Sequence, residues 1–399
     1  MVKLSEQVQK EQFALQKKQC RIAKKANPPE GIEAADNGSL FWVANCLLYH
    51  RLREHFIKKG FITASTGLWP TANLTTKNKK LIATAELRPD LRETGASLSQ
   101  TELTRWQERV AQNLLLMDDI TADVMDVISS AWIEQANHYE AMAVVTADDF
   151  LRFRGLKQQK NGAGRRGGYK KEWRQLIARH IDILANTWIT VTAMDVTEKV
   201  VKGTRKQWRR VKWQGESRAF VITSILAQKT KKGLATYAWR VRPGDVFSKF
   251  LFKHGWQMAL LSQKALAYHP IDQQWEKRLT RYFSWQWRNR QGAGAYLVPF
   301  NVETLLNAAN KEVSKDNPSR TKDRLEKALD TLQRDEIISG WQYELAHEDN
   351  VGLKGWWKDW LLWKVIIEPP QEIMDQYEKI KLPGEKNDRK KHLPLIVSQ

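Results

Sequence analysis

The sequence predicts a mainly α-helical chain with small β-sheets, an α+β protein, and three observations carry that expectation. Apolar residues recur at helical spacing, most clearly over Tyr169–Leu184, where Trp173, Leu176, Ile177, His180, Ile181 and Leu184 share one face. Short runs rich in β-branched residues, such as Thr187–Met194 (TWITVTAM), lie between the helical segments and read as strands. The chain has 399 residues and is 42% hydrophobic, enough for two or three domains with cores of their own.

The elements follow in order. Residues 4–25 read as a polar helix with a thin apolar stripe, and Asn27-Pro28-Pro29 breaks it. Leu40–Lys59 is predicted as one core helix, with Phe41, Ala44, Leu48, Leu52 and Phe56 on one face. Residues 62–98 read as loop or linker with a short helix in the middle. Ser99–Arg109 opens with Ser99 and Glu102 at capping-box spacing. Ile120–Gln135 is amphipathic, and Thr146 is a good N-cap for a short helix. A glycine-rich basic stretch, Lys160–Lys171, leads into the Tyr169–Leu184 helix. Ser217–Leu226 and Ala235–Val241 read as strands paired through the KTKKGL turn, with Phe247–Phe252 extending that region. Helices are predicted around Met258–Ala267 and over Gln273–Arg290. A last unit starts at Pro299, with helices Val302–Ala309 and Pro318–Asp335 and strands Ile337–Leu345 and Leu361–Ile367. The expected division is a helical N-terminal extension over 1–100, a first domain with a basic insertion over 101–255, linking helices and a second domain over 256–370, and a loose basic tail over 371–399.

Charge is segregated along the chain. The formal net charge is +20, and residues 151–300 hold 31 Lys+Arg against 8 Asp+Glu, whereas the rest holds 34 against 37. A basic surplus gathered in one region implies an anionic partner, nucleic acid first. The two cysteines, Cys20 and Cys46, are too few for a disulfide framework and suit a reducing compartment. MVKLSEQVQKEQF has no apolar signal core, and no run approaches 18 uncharged apolar residues, so a cytoplasmic location with no membrane partner is expected.

Two stretches repeat one order: short helix, polar loop, longer helix, strand. They are Thr146–Gly155, Tyr169–Leu184 and Trp188–Val191, then Val302–Ala309, Pro318–Leu332 and Ile337–Tyr343. This is the layout of a winged helix, in which the longer helix lies in the DNA major groove and a hairpin touches the flanking backbone. The sequence therefore predicts two tandem winged-helix domains. In the second, Asn317 and Pro318 suit the helix start, and Leu325, Ala328, Leu329 and Leu332 face inward. Arg320, Lys322, Arg324 and Lys327 are left on the outer side of the N-terminal half, where recognition helices meet bases; the plainer alternative is a solvated face of ion pairs. Lys354 and Lys358 follow in the hairpin as candidate phosphate contacts.

The order of elements from about 117 to 370 resembles the tandem winged-helix replication initiators of plasmids, the iteron-binding Rep proteins. The resemblance is carried by Asp118–Trp132, by GYKKEWRQLIARHIDILANTWITV (168–191), by ALLSQKALAYHPIDQQWEKRLTRYFSWQWR (259–288) and by PSRTKDRLEKALDTLQRDEIISGWQYE (318–344). It implies binding of repeated origin sites as a monomer, promoter repression as a homodimer, and cooperation with host replication proteins. It also implies base reading by Arg320, Lys322, Arg324 and Lys327, and phosphate contacts from Lys170, Lys171, Arg174 and Arg179.

Further cations extend the expected backbone-contacting set. Arg165 and Arg166 lie in the glycine-rich turn, and Arg205, Lys206, Arg209 and Arg210 in the densest basic run, which reads as an arm or an ordered hairpin on phosphates. Arg278, Arg281, Trp285 and Arg288 fall on a second face of the 273–290 helix, apart from Trp275, Leu279, Tyr282 and Phe283. Tryptophans beside cations, as in Trp173/Arg174, Trp208/Arg209, Trp239/Arg240 and Trp287/Arg288, suit either base stacking or core packing.

No enzyme signature emerges. GAGRRGGYKK lacks the Lys-Ser/Thr ending of a phosphate loop, the eight histidines are dispersed, and His50 and His55 are five residues apart. Asp118-Asp119 and Asp148-Asp149 stand at helix starts, where carboxylates suit the helix dipole. No catalytic residue, metal or cofactor is expected. Two other readings stay open: a winged-helix transcriptional regulator or DNA-organising protein without a replication role, and a nucleic-acid-processing enzyme.

Overall fold

A computed structural model describes residues 40–63, 67–90, 99–159, 168–202, 205–225, 238–251, 257–344 and 354–379. Of strand segments 196–202 and 205–210 the backbone alone is described. The fold is mixed α+β, with helices and small antiparallel sheets. The described residues form two compact units, one over Trp42–Met258 and one over Ala259–Lys379 together with Leu40 and Phe41.

In the first unit the order is β1 (Leu40–Ala44, shared with the second unit), α1 (Leu47–Lys58), β2 (Thr71–Asn73), β3 (Leu81–Leu87), α2 (Gln100–Leu116), α3 (Asp119–Gln135), β4 (Ala143–Thr146), α4 (Ala147–Phe153), α5 (Lys171–Ala185), β5 (Thr187–Lys202), β6 (Arg205–Arg218), β7 (Phe220–Ile225), β8 (Ala238–Pro243) and α6 (Asp245–Leu251). α3 is the central post. It is buried from Asp119 to Ser130, so its polar side chains must find partners inside. Asp126 accepts from Arg53 at 2.9 Å and from Tyr49 Oη at 3.2 Å, Ser129 Oγ accepts from the Ala44 amide at 2.9 Å, and Thr121 Oγ1 lies 2.9 Å from His180 Nδ1. Each polar peg fastens a different element to one apolar helix, which fixes where α5 lies. The predicted capping boxes at Ser99/Glu102 and Thr146/Asp149 both form.

The unit holds two sheets, one of which packs on this post through β4 and β8. β4, β8 and β7 pair in that order, and β2-β3-β5-β6 forms the other sheet. The strand at Thr187–Met194 pairs with β3 on one side and with β6, in a hairpin, on the other, so it belongs to a different sheet from β4, and β7–β8 supplies the hairpin next to β4. Residues 62–98 were expected as loop with a helix. Instead β2 and β3 alternate buried and half-buried residues, Leu81, Ala83, Ala85 and Leu87 pointing inward. The helix expected from Leu40 starts only at Leu47, because Phe41–Ala44 is extended. Over residues 40–90 the expected helical extension is thus a mixture of strand and helix. Phe247–Phe252, expected to extend the region of the paired strands, is helical up to Leu251.

The second unit holds β9 (Met258–Ser262, whose first residue belongs to the first unit), α7 (Lys264–Ala267), α8 (Gln274–Arg290), β10 (Phe300–Asn301), α9 (Val302–Ala309), α10 (Pro318–Arg334), β11 (Gly340–Tyr343), α11 (Trp356–Trp360), β12 (Lys364–Glu368) and α12 (Gln371–Lys379). Its sheet order is β10-β12-β11. Trp275, Leu279, Phe283 and Trp287 of α8 build the core with Leu305, Leu306, Leu325, Leu329 and Val365. Met258–Ser262 is a buried strand rather than the predicted helix, and residues 371–379 form α12 rather than a tail.

Candidate nucleic-acid interface

α10 takes its predicted place. Asn317 Oδ1 accepts the Arg320 amide at 3.0 Å, Pro318 opens the helix, and Leu325, Ala328, Leu329 and Leu332 are buried. Its four predicted base readers divide into two pairs. Arg324 makes two 2.9 Å bonds to the Glu276 carboxylate, a third to the Asp272 carbonyl at 3.3 Å, and lies 5.5 Å from the Trp275 ring centroid. Lys322 Nζ is 2.7 Å from Glu326, which also accepts from Tyr343 Oη at 3.0 Å. Arg324 fastens α10 to α8, whereas Lys322 pairs within α10 with the carboxylate that binds β11. Arg320 and Lys327 remain exposed, with Asp323 and Asp330 on the same stripe. Asp330 accepts the Trp341 indole N–H at 3.0 Å.

The second face predicted on α8 is overturned in part. Arg278 and Arg281 are buried, at 7% and 2% exposure, so neither reaches a phosphate from the outside. Arg278 Nη1 donates to the Ala309 carbonyl at 2.8 Å, closing the C-terminus of α9, where a cation also suits the helix dipole. Lys277 does the same for α7, donating to the carbonyls of Ala265, Leu266 and Tyr268 at 2.8, 3.0 and 3.3 Å. The apolar spacing gave no sign of this use, because a long cationic chain can be buried when its head group caps carbonyls. Arg288 is half-buried, donates to Gln291 and lies 5.5 Å from the Tyr377 ring centroid. Lys354 and Lys358 are exposed.

In the first unit, α5 presents an outer face of Lys171, Gln175 and Arg179, all exposed, with the half-buried Ala178 between them. No hydrogen bond or ion pair holds these three side chains among the described residues. Arg174, predicted on phosphate, instead grips Asp148 through two bonds of 2.5 and 2.6 Å, tying α5 to α4. Lys170 lies 5.2 Å from the Trp173 ring centroid. Behind this face His180 is fully buried, and burial holds its imidazole at a pKa of about 3, with Arg154 and Arg179 adding to the depression. Asp118, Asp148 and Asp149 serve at helix starts: Asp118 caps α3, Asp149 completes the box at α4, and Asp148 pairs with Arg174. Arg165 and Arg166 lie outside the described residues.

The basic run around Arg205–Arg210 is strand. β5 and β6 pair continuously, with Lys202 opposite Arg205, Val201 opposite Lys206, Glu198 opposite Arg209 and Thr197 opposite Arg210. β3 accompanies β5 only as far as Met194, so from Val196 to Lys202 the two strands pair with each other alone in this sheet. Seven residues at about 3.3 Å each make a ribbon of about 23 Å. Residues 196–210 contribute six Lys+Arg and one acid, Glu198. The run was legible as basic and as a possible hairpin; its length was not, because Val, Thr and Trp alternate irregularly with charge. On β8, Arg240 is exposed, while Trp239 is buried, as is Trp287 on α8; these two tryptophans beside cations are core residues.

Among the described residues no group of three or more His, Cys, Asp or Glu is placed to hold a metal ion, and no helix is long and apolar enough to cross a membrane. No family model and no curated protein matches the sequence. A crystal structure of RctB domains 2-3 aligns with a TM-score of 0.39 at 10% identity, over 80% of this chain and 99% of that chain. A likeness of that size does not bear on function.

Proposed function

We propose that the chain is a sequence-specific, double-stranded DNA-binding protein built on two winged-helix units, without catalytic activity of its own. One observation carries this reading: the two units repeat the same topology. In each, a strand leads into a short helix and a longer helix, and two later strands join the first in the order first, third, second: β4-β8-β7 around α4 and α5, β10-β12-β11 around α9 and α10. That is the arrangement in which a longer helix enters the major groove and the hairpin meets the backbone. The first unit adds an insertion between its longer helix and its hairpin, the β5–β6 ribbon with its surplus of cations. A two-stranded ribbon fits a major groove about 12 Å wide or lies along phosphates.

Resemblance to the plasmid initiators extends the proposal to replication initiation: binding of repeated origin sites, autoregulation of the promoter, and a monomer–homodimer equilibrium in which host replication proteins act on the DNA-bound form. Selection of bound fragments from the protein's own replicon, followed by footprinting, tests both levels. Protected tandem repeats beside an A·T-rich stretch support an initiator. Protection of isolated promoter sites alone supports the regulator reading, and a salt-insensitive, featureless footprint removes both.

A further inference from the structure

We propose that base reading resides in α5 rather than in α10, on the face formed by Lys171, Gln175, Ala178 and Arg179, with the major groove of duplex DNA as its partner. The inference rests on the DNA-binding reading above and reverses the roles expected of the two longer helices.

Lys171, Gln175, Ala178 and Arg179 stand at i, i+4, i+7 and i+8, so they form one stripe along two turns of α5. The three long side chains are exposed and carry no hydrogen bond or ion pair among the described residues. Ala178, the residue between them, is small, so the helix can approach a groove floor without a bulky obstruction. The chemistry suits base edges: Lys and Arg donate to guanine O6 and N7, a glutamine amide pairs with adenine N6 and N7, and an alanine methyl packs on the thymine methyl. Asp182, at the far end of the stripe, is neutralised by an ion pair with Arg109 and also accepts from Asn113 Nδ2 at 3.2 Å. Glu172, exposed in the first turn where the helix dipole favours it, stands three residues before Gln175 and seven before Arg179, so the stripe begins with one acid.

Electrostatic context separates the two helices. Residues 160–171, leading into α5, carry five Lys+Arg and no acid, and the ribbon that follows α5 is basic as well. Residues 310–321, leading into α10, carry three Lys+Arg and two acids. On α10 itself Asp323 is exposed between Arg320 and Lys327, and two of the four cations are bound to Glu276 and Glu326. A carboxylate on that stripe is repelled by phosphate and finds a base partner only at a cytosine amino group. α10 is therefore assigned to positioning and α5 to reading.

The test uses the full chain and duplexes selected from a random library. Binding is measured on the selected site, on every single-base replacement of it and on a random duplex. Gln175→Ala, which changes no charge, is expected to weaken the selected site about tenfold and to become indifferent at one or two adjacent base pairs, with random-duplex binding kept within about twofold. Arg179→Lys, which keeps the charge and loses the forked donor, is expected to do the same at a neighbouring pair. Arg320→Ala and Lys327→Ala are expected to weaken all duplexes alike. Retained random-duplex binding shows that each variant is folded. The assignment is overturned if Gln175→Ala and Arg179→Lys leave the base-pair profile intact while an α10 variant flattens it. It is also overturned if an A-form RNA duplex binds as tightly as DNA, since the groove read on that form is the wrong one. Absence of any duplex binding by the parent chain sinks the DNA-binding reading itself, which is a separate outcome.

Discussion

α5 and α10 occupy equivalent places in a helix and strand order that recurs in both units, yet their surroundings use their side chains differently. α10 is capped by Asn317, held to α8 through Arg324 and Glu276, and joined to its sheet through Glu326–Tyr343 and Asp330–Trp341. α5 has no side-chain N-cap, is held by partly exposed ion pairs of Arg174 with Asp148 and of Asp182 with Arg109 and by the buried contact of His180 with Thr121, and leaves Lys171, Gln175 and Arg179 unengaged among the described residues. On α10 two of the four cations are held in internal ion pairs, and the exposed Arg320 and Lys327 share their stripe with Asp323 and Asp330. On α5 the exposed Lys171, Gln175 and Arg179 have no internal partner among the described residues and stay available for an outside one. The comparison teaches that basic residues on a predicted recognition helix have to be sorted by what else they touch.

The ion pairs offer the most forceful way to break it. Glu276 is only 5% exposed at its side chain, so Arg324→Ala leaves a buried carboxylate without its main partner and should cost about 3–5 kcal/mol. Asp148 is 42% exposed, so Arg174→Ala should cost about 1 kcal/mol or less. Urea unfolding of both variants decides the point, and equal shifts would remove the claimed difference.

Acid should separate the helices next. His180 on α5 is buried with a pKa held at about 3, whereas the buried positions of α10 are Thr, Leu and Ala. The unfolded imidazole titrates near 6.5, so the unfolded state gains a proton first. The contribution is fully present above pH 6.5 and is lost as pH falls toward 3, amounting to roughly 3 kcal/mol by pH 4. In His180→Gln, which keeps a partner for Thr121, the acid slope of the first unit should flatten. An unchanged slope would assign the acid sensitivity elsewhere.

Salt sharpens the contrast on the DNA side. Replacing Arg209 and Arg210 on the ribbon with Gln should reduce the slope of log affinity against log salt by about 1.8 if each meets one phosphate, for all sequences alike. An identical slope would show that the ribbon stays off the backbone. The smallest effects concern helix ends. Asn317→Ala should cost about 1 kcal/mol in thermal or urea unfolding, and Lys170→Ser should stabilise α5 by a similar amount while weakening DNA binding. A Lys170→Ser protein that gains stability and loses no affinity would take Lys170 out of the interface.

Much of the local structure was readable from the residues. Capping signals at Ser99/Glu102, Thr146 and Asn317-Pro318 placed helix starts within a residue or two, because caps are local chemistry. Periodicity found α3, α5, α8, α9 and α10. It failed where an apolar run suits either element: Phe41–Ala44 and Met258–Ser262 are buried strands whose apolar runs sit beside helical segments. β2 and β3 were missed because their inward positions are mostly small, Ala72, Ala83 and Ala85, which carry little strand signal. Gln175 escaped notice because an uncharged amide does not register in a search for charge, although its i+4 spacing from Lys171 and to Arg179 was available.

The sequence by itself determined the concentration of cations over residues 151–300, the repeated order of short helix and longer helix, and the amphipathic faces that set which side of α5 and α10 turns inward. These follow from composition and from the 3.6-residue period, which need no knowledge of neighbours. Tertiary structure alone decided which cations remain available. Arg174, Arg278, Arg281 and Arg324 read as outward charge along the chain, and they are paired or buried because Asp148, the Ala309 carbonyl and Glu276 are brought to them by packing, with Arg281 enclosed as well. These charges meet their partners across space rather than along the sequence, so only the fold separates a cation that holds the protein together from one left for an outside partner.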